Sequence, residues 1–423
     1  MKENLIIGVI GLGYVGTPLA LSLGRFFKVV GFDLNRKRIS QLKNKKDITN
    51  ETNLSEFTKA KKIVFTNKLK DLKNCNIFIV TVPSPVTKKN KPDFYYLKKA
   101  SSLVANVMSR KSIIVYESTV YPGATEEQCV PVIEKISKLK YNKDFFCGYS
   151  PERINPGDKK HKLENISKII SASNKKTLNI LKFMYGKIIK AKIIPTSSIM
   201  VAEAAKVIEN TQRDLNIALA NELSIICSKL NIDTNQVINA ASTKWNFHKY
   251  SPGLVGGHCI GVDPYYLTYK SKLLGYKPKI ILAGRKLNDS MAKYITLQLE
   301  KHIKIKNLNK KNLKILILGI TFKENCPDTR NSQSLKLSKL IKNKYKKVYI
   351  HDDVANTYSL KEENIILAKK LKKNSFDVII LAVPHKVIVK KGIKVIKSFL
   401  KKKSIFFDLK GYFNKQYSDF RLW

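Results

Sequence analysis

The apolar run Leu5–Ile10 ends in Gly11-Leu12-Gly13-Tyr14-Val15-Gly16, and a helical pattern follows from Pro18 to Leu23. A strand that breaks at a glycine turn and starts a helix is the opening of a βαβ unit. Gly11 permits the tight turn, Gly13 lets main chain approach a pyrophosphate, and Gly16 lets helix and strand pack closely. The helix start then offers its N–H groups to phosphates. A glycine turn without ligand is the plainer alternative, and its place between strand and helix argues against it. A dinucleotide site over Gly11–Gly16, with Leu12, Tyr14 and Val15 in the loop, is therefore expected.

Alternation continues. Val29–Asp33, Ile77–Val82, Ile113–Glu117 and Phe145–Tyr149 read as strands with helical stretches between several of them. This pattern predicts a parallel sheet with helices on both faces. A second α/β unit is expected from Leu313–Leu318, Val348–His351, Val378–Val383 and Ile405–Asp408. Between the two lies one long helical stretch, Met200 to Leu230. Ile208, Leu215, Leu219, Leu223, Ile226 and Leu230 form one stripe, and Glu203, Lys206, Asn210 and Arg213 lie opposite. Such a helix suits a connector or a dimer core. The expected division is residues 1–197, a Rossmann-type dinucleotide-binding domain; 198–300, a central helical domain; and 301–423, a smaller Rossmann-like domain. A length of 423 residues accommodates two or three domains.

Asp33 ends the second strand, where an acid can hold the adenosine ribose hydroxyls and repel a 2′-phosphate. That favours NAD over NADP. Arg36 and Arg38 keep NADP open, since both can pair with such a phosphate, and Arg38 is counted among the cofactor residues. Pro83, Ser84 and Pro85, with Ser118 and Thr119, follow further strand ends and should border the cofactor.

The segment from Ser251 to Pro264 surrounds Cys259 with glycines and prolines. A thiol in such a loop has many N–H donors near it and can react as a thiolate. A buried small hydrophobe is the plain reading of a lone Cys, and a structural hydrogen-bonder that of His258. Lys206 and Asn210, four apart on one helix face, can hold an oxyanion. Glu152, just past a strand end, can do acid/base work or be a turn residue.

The formal charge is +47, but the lysines are scattered and no arginine-rich arm or aromatic stacking pattern accompanies them. No nucleic-acid partner is expected. No apolar run long enough to span a membrane and no signal peptide are read. Six scattered cysteines without a C-x-x-C pair argue against a metal cage and for a reduced, cytoplasmic setting.

Together these segments resemble the UDP-glucose/GDP-mannose dehydrogenase family over nearly the whole chain. The matching stretches are Gly11–Gly16, Glu117–Val120, Pro151–Asn155, Glu203–Asn210, Gly253–Asp263 and Thr321-Phe322-Lys323 through Asp328-Thr329-Arg330, in the family's order. The stretch from Lys244 through Leu267 looks most like the branch acting on UDP-N-acetylhexosamines, including Vi-polysaccharide-type enzymes. The resemblance implies a four-electron oxidation with two NAD per sugar and a homodimer built on the long helix. It implies that Cys259 adds to a C6 aldehyde and carries a thioester, that Lys206 and Asn210 stabilise the oxyanion, and that Asp263 assists as a base. Glu152 and Thr119 would handle water. Glu152, Arg153, Ile154, Asn155, Lys206, Asn210, Tyr250, Gly253, Gly256, Gly257, Phe322 and Lys323 would contact the UDP-sugar, and Arg330 would reach the cofactor. Two departures stand out. Where some relatives have an arginine upstream of the cysteine loop, this chain offers Lys244, His248 and Lys249. Near the C-terminus, Lys410 stands where some relatives have a substrate-contacting arginine. A two-electron hydroxyacid dehydrogenase and a basic nucleic-acid-binding protein on a retired dehydrogenase fold are the rival readings.

Overall fold

The structure is a computed structural model that describes residues 4–49, 51–87, 89–154, 162–355 and 366–423. It contains two compact units. One comprises residues 1–209 and 265–276, the other 210–264 and 277–423.

The first unit is built on an eight-stranded sheet. Its strands are β1 (Ile6–Ile10), β2 (Lys28–Phe32), β3 (Ile63–Thr66), β4 (Ile77–Val80), β5 (Ile113–Tyr116), β6 (Phe146–Tyr149), β7 (Lys168–Ala172) and β8 (Ile193–Pro195). Their order is β3-β2-β1-β4-β5-β6-β7-β8, and every pair is parallel except β6 with β7. All residues of β4 and β5 are buried, which is why both read as unbroken apolar runs. Ile7, Val9, Leu19, Leu23, Ile79 and Val115 join in one core cluster. Each buried aliphatic side chain contributes about 1.5–3 kcal/mol. The chain leaves β1 toward β2 on one side and returns to β4 on the other. That reversal opens a crevice at the carboxyl ends of β1 and β4, the place where such sheets bind ligands.

The second unit carries a five-stranded parallel sheet: β9 (Lys314–Leu318), β10 (Lys347–His351), β11 (Ile366–Leu367), β12 (Phe376–Leu381) and β13 (Leu400–Asp408), in the order β11-β10-β9-β12-β13. The two sheets repeat one turn. Gly11, at φ +94°, donates to the Phe32 carbonyl at 2.9 Å, and the next N–H, of Leu12, reaches Asp33 Oδ2 at 2.9 Å. Gly319, at φ +82°, donates to His351 O at 3.0 Å, and Ile320 N–H reaches Asp352 Oδ2 at 2.7 Å.

The long helix runs from Ile199 to Lys229. Its polar side is the covered one: Glu203, Lys206, Asn210, Asp214, Asn221 and Ser224 are all buried. The apolar stripe faces outward instead, with Ile208 52 %, Leu219 56 % and Leu230 62 % exposed. Polar groups on a buried helix face need partners, and those partners organise the candidate site.

Candidate active site

In the first unit the glycine loop is held from behind. Thr81 Oγ1 donates to Gly11 O at 2.6 Å, while Thr17 Oγ1 and Arg38 Nε donate to Leu12 O, both at 2.8 Å. Gly13 stands exposed, with no atom within 4 Å of where a Cβ would lie. The helix that follows, Gly16–Leu23, has no side-chain cap and no acidic residue in its first turn. This suits a pyrophosphate, and the Asp33 carboxylate at the end of β2 suits a ribose diol. The residues therefore fit NAD.

Arg38 requires a correction. Expected to touch the cofactor, it is buried, and its guanidinium reaches Leu12 O, Thr17 Oγ1 and Asp47 Oδ1, the last at 2.8 Å in an ion pair. It supports the loop from within. Pairing with a 2′-phosphate would cost that buried ion pair, so the NADP alternative loses one of its two arginines.

The ends of β4 and β5 are tied together by Ser118 Oγ, which donates to Val82 O at 2.6 Å. Pro85 O accepts from Tyr266 Oη at 3.1 Å. Pro83 is exposed at this rim, and Ser84 and Thr119 are half-buried beside it. Glu152, three residues past β6, accepts from the N–H groups of Arg153 and Ile154 at 2.6 and 2.7 Å through Oε1. Its Oε2 meets Lys168 Nζ at 3.0 Å, and Lys168 also meets Glu117 Oε2 at 2.9 Å. Arg153 is exposed, and Asn155 lies outside the described residues. On the long helix, Glu203 accepts from Gly123 N–H at 2.5 Å and Thr125 N–H at 2.9 Å, and burial pushes its carboxyl pKa up to about 7. Lys206 follows on the next turn and is also buried.

In the second unit the cysteine loop is clamped to the same helix at both ends. Asn221 accepts from Gly253 N–H at 2.8 Å and donates to Gly253 O at 3.0 Å, the pairing a β-strand would make. At the other end Asn210 Nδ2 donates to Asp263 Oδ2 at 2.5 Å. Between them Cys259 O accepts from the N–H groups of Val262 and Asp263 at 3.0 and 2.8 Å, a turn that leads into the helix Asp263–Leu273. Cys259 is half-buried, whereas the five other cysteines are buried. Burial pushes the Cys75 and Cys129 thiols up to about 12, so neither offers a thiolate near neutral pH.

Gly257, at φ +83°, lies against Phe322: a Cβ there would come 2.7 Å from the ring. Gly256 is equally tight, its Cβ position 2.9 Å from Asn331 O. Lys323 Nζ stands 5.7 Å from the Phe322 ring centre, and Tyr250 is half-buried at the loop's entry. Lys410 places Nζ 3.3 Å from the Gly253 Cβ position. Arg330 grips Asp328, with Nε at 3.0 Å and NH2 at 2.6 Å from its two oxygens. Burial, with the nearby Arg330 charge, lowers the His258 pKa to about 4. His258 is thus neutral at neutral pH and does not supply the cation a thiolate would favour, despite adjoining Cys259.

Two residues of this arrangement were not singled out in the sequence. Asn221 lies three turns beyond Asn210 on the same helix side, so continuing the polar stripe past Arg213 would have found it. Lys168 has no such signal among 79 basic residues.

A nucleotide-binding crevice in one unit and a clamped cysteine loop in the other suit an NAD-dependent dehydrogenase. Comparison with known families agrees. Residues 5–189 match the NAD binding domain of the UDP-glucose/GDP-mannose dehydrogenase family, 200–290 its central domain and 316–415 its UDP binding domain. The chain belongs to this family, and it is an NAD-dependent oxidoreductase. It is 50% identical over 421 residues to UDP-N-acetyl-D-glucosamine 6-dehydrogenase of Salmonella typhi, covering 99% of both chains. It is 48% identical to the protein of the same name from Pseudomonas aeruginosa, covering 99% of this chain and 100% of the relative. Among solved structures, the UDP-D-ManNAc dehydrogenase of Pyrococcus horikoshii superposes with a TM-score of 0.87 at 30% identity, over 97% of this chain and 96% of that one. Among the described residues no helix is long and apolar enough to cross a membrane.

Proposed function

We propose that this protein oxidises C6 of a UDP-N-acetylhexosamine, with GlcNAc or GalNAc as the sugar, from alcohol to carboxylate. The observation that carries the reading is the half-buried Cys259 in a loop fixed at both ends by Asn210–Asp263 and Asn221–Gly253. The near 50% identity to proteins named UDP-N-acetyl-D-glucosamine 6-dehydrogenase supports the sugar. UDP-glucose is the alternative substrate.

NAD, when bound, supplies a hydride acceptor for each of two oxidations. The chain's residues do the rest. The Cys259 sulfur adds to the C6 aldehyde, and the carbonyl electrons move to oxygen. Lys206 and the second N–H of the Asn210 amide stabilise that oxyanion. Loss of hydride from C6 leaves a thioester on Cys259. Water then attacks, helped by Glu152, Thr119 and Asp263, and the C–S bond breaks with its electrons returning to sulfur. A covalent intermediate keeps the aldehyde from escaping between the two oxidations. Among the described residues, three of the roughly four acceptor sites of Glu152 are occupied, which leaves one for water. Phe322 and Lys323 contact the sugar nucleotide, and Arg330 reaches the cofactor.

The exposed stripe Ile208, Leu219, Ile226 and Leu230 supports a homodimer through the long helix. The product serves surface polysaccharide synthesis in the cytoplasm. The test is stoichiometric: purified protein with UDP-GlcNAc or UDP-GalNAc should form two NADH per sugar. One NADH with free aldehyde would refute the thioester route.

A further inference from the structure

The first unit buries a charged cluster that the mechanism above does not explain. Lys168 opens β7, the strand that runs antiparallel to β6. Its side chain is only 3 % exposed, and its ammonium bridges two carboxylates, Glu117 at 2.9 Å and Glu152 at 3.0 Å. Glu117 directly follows β5, and its other oxygen accepts from Tyr185 Oη at 2.5 Å. Tyr185 comes from the helix Lys175–Gly186, and Lys168 Nζ stands 5.3 Å from its ring centre. Among the described residues nearby, Arg153 NH1 donates to Ser167 O, and Ser150 Oγ donates to Ile169 O and also lies beside the Tyr185 phenol. Two carboxylates and one phenol from three elements therefore face a single cation. Burial works against the charge on Lys168, yet the two carboxylates outweigh it and raise its pKa. Burial also raises the pKa of Glu117.

A buried ammonium is costly and is retained where it holds something in place. Of its two partners, Glu117 is fully enclosed, whereas Glu152 is slightly exposed and, among the described residues, keeps one acceptor site in hand. We propose that Lys168 is a positioning residue for Glu152: it fixes the carboxylate so that Glu152 acts on the thioester-opening water as a proton acceptor and not as an acid. This rests on the role given to Glu152 in the proposed function. In the step concerned, the water oxygen bonds to C6, its proton passes to Glu152, and the C–S electron pair returns to Cys259. A neighbouring cation favours the charged form of any carboxylate, and a neighbouring carboxylate opposes it. Lys168 and Glu117 should therefore move the pH dependence of hydrolysis in opposite directions.

The experiment compares Lys168→Met, Lys168→Arg and Glu117→Gln with the wild-type protein, using UDP-GlcNAc and NAD. Lys168→Met should lower steady-state kcat by roughly tenfold or more. KM for both substrates should fall along with kcat, so that kcat/KM stays within about threefold, since the step affected follows thioester formation. Acid-quenched protein should carry the sugar-nucleotide mass on Cys259, and the acid limb of the kcat profile should move to higher pH. Lys168→Arg should recover most of kcat. Glu117→Gln should move the acid limb to lower pH, and it keeps the test open if Lys168→Met does not fold. Variants with wild-type pH profiles and no trapped thioester overturn the proposal. So does a Lys168→Met protein that loses NAD binding and kcat together, which would mean packing alone. A wild-type enzyme that forms no thioester sinks the functional reading and this proposal with it. Unaltered variants beside a competent wild type sink the Lys168 role alone.

Discussion

Gly13 and Gly16 belong to one loop, yet alanine at the two positions should fail for different reasons. At Gly16 an added Cβ would sit 1.9 Å from Gly11 O, 3.0 Å from Gly11 C and 2.5 Å from Thr81 Oγ1. Relief requires the start of the helix or the turn to move by about 1 Å, since carbon and oxygen ordinarily meet at roughly 3.2 Å or more. The obstacle is main chain that already accepts the Thr81 hydroxyl, so no side chain can swing aside. Overpacking of this kind costs about 1–3 kcal/mol, and at about 2–4 °C per kcal/mol the first unit should melt several degrees lower. At Gly13 the Cβ meets nothing within 4 Å. Gly13→Ala should leave stability unchanged or raise it by up to about 1 kcal/mol, because the unfolded chain loses freedom. Its Cβ does occupy the space assigned to the pyrophosphate, so NAD affinity should fall about tenfold or more, or about 1.4 kcal/mol. Thermal melting without ligand and calorimetric NAD titration separate the two effects. A Gly13→Ala protein with wild-type NAD affinity would refute the placement of the phosphates over this turn, and a Gly16→Ala protein with wild-type melting would refute the packing argument.

Cys259→Ala should form no uronic acid while NAD binding survives, and sustained acid production in that variant would reject Cys259 as nucleophile. Gly257→Ala combines a left-handed φ with a Cβ 2.7 Å from the Phe322 ring, so KM for the UDP-sugar should rise about tenfold with NAD affinity retained. Steady-state kinetics paired with NAD titration would reveal it. Glu203 predicts a pH effect on stability. Its folded pKa of about 7 lies above the ordinary 4.5, so the native state holds this proton more tightly than the unfolded chain does. That stabilisation is complete below pH 4.5 and is lost as pH rises through about 7, amounting to roughly 3 kcal/mol at most. Urea unfolding from pH 5 to 8 should show the decline in wild type and a flatter profile in Glu203→Gln.

How far the chain could be read in advance depended on what each strand touches. β4 and β5 were legible because both faces are covered and every residue is apolar. β3 was not, since Val64 is exposed and the flanks are lysine and asparagine, as befits an outer strand. β7 was also missed: it begins with Lys168, a residue that normally reads as surface, and its burial depends on two acids distant in sequence. The same limit held at the site. Cys259 announced itself through its glycines and prolines, and Lys206 and Asn210 through helical spacing. That the polar side of the long helix would be enclosed did not follow from periodicity, which separates two sides without saying which is wet. Arg38 shows the converse, because an arginine beside a phosphate loop invites a ligand role until its partner Asp47, nine residues on, is seen.

The long helix also constrains what evolution or an engineer can change. Glu203, Asn210, Asp214, Asn221 and Ser224 each meet a set partner from one continuous rod, and Lys206 is buried on the same side. Inserting or deleting a single residue between positions 203 and 224 would turn everything downstream by about 100° and shift it about 1.5 Å along the axis. Every clamp beyond the lesion would then miss its mate at once. Loops elsewhere can lengthen at small cost, but this stretch does not tolerate a change of count.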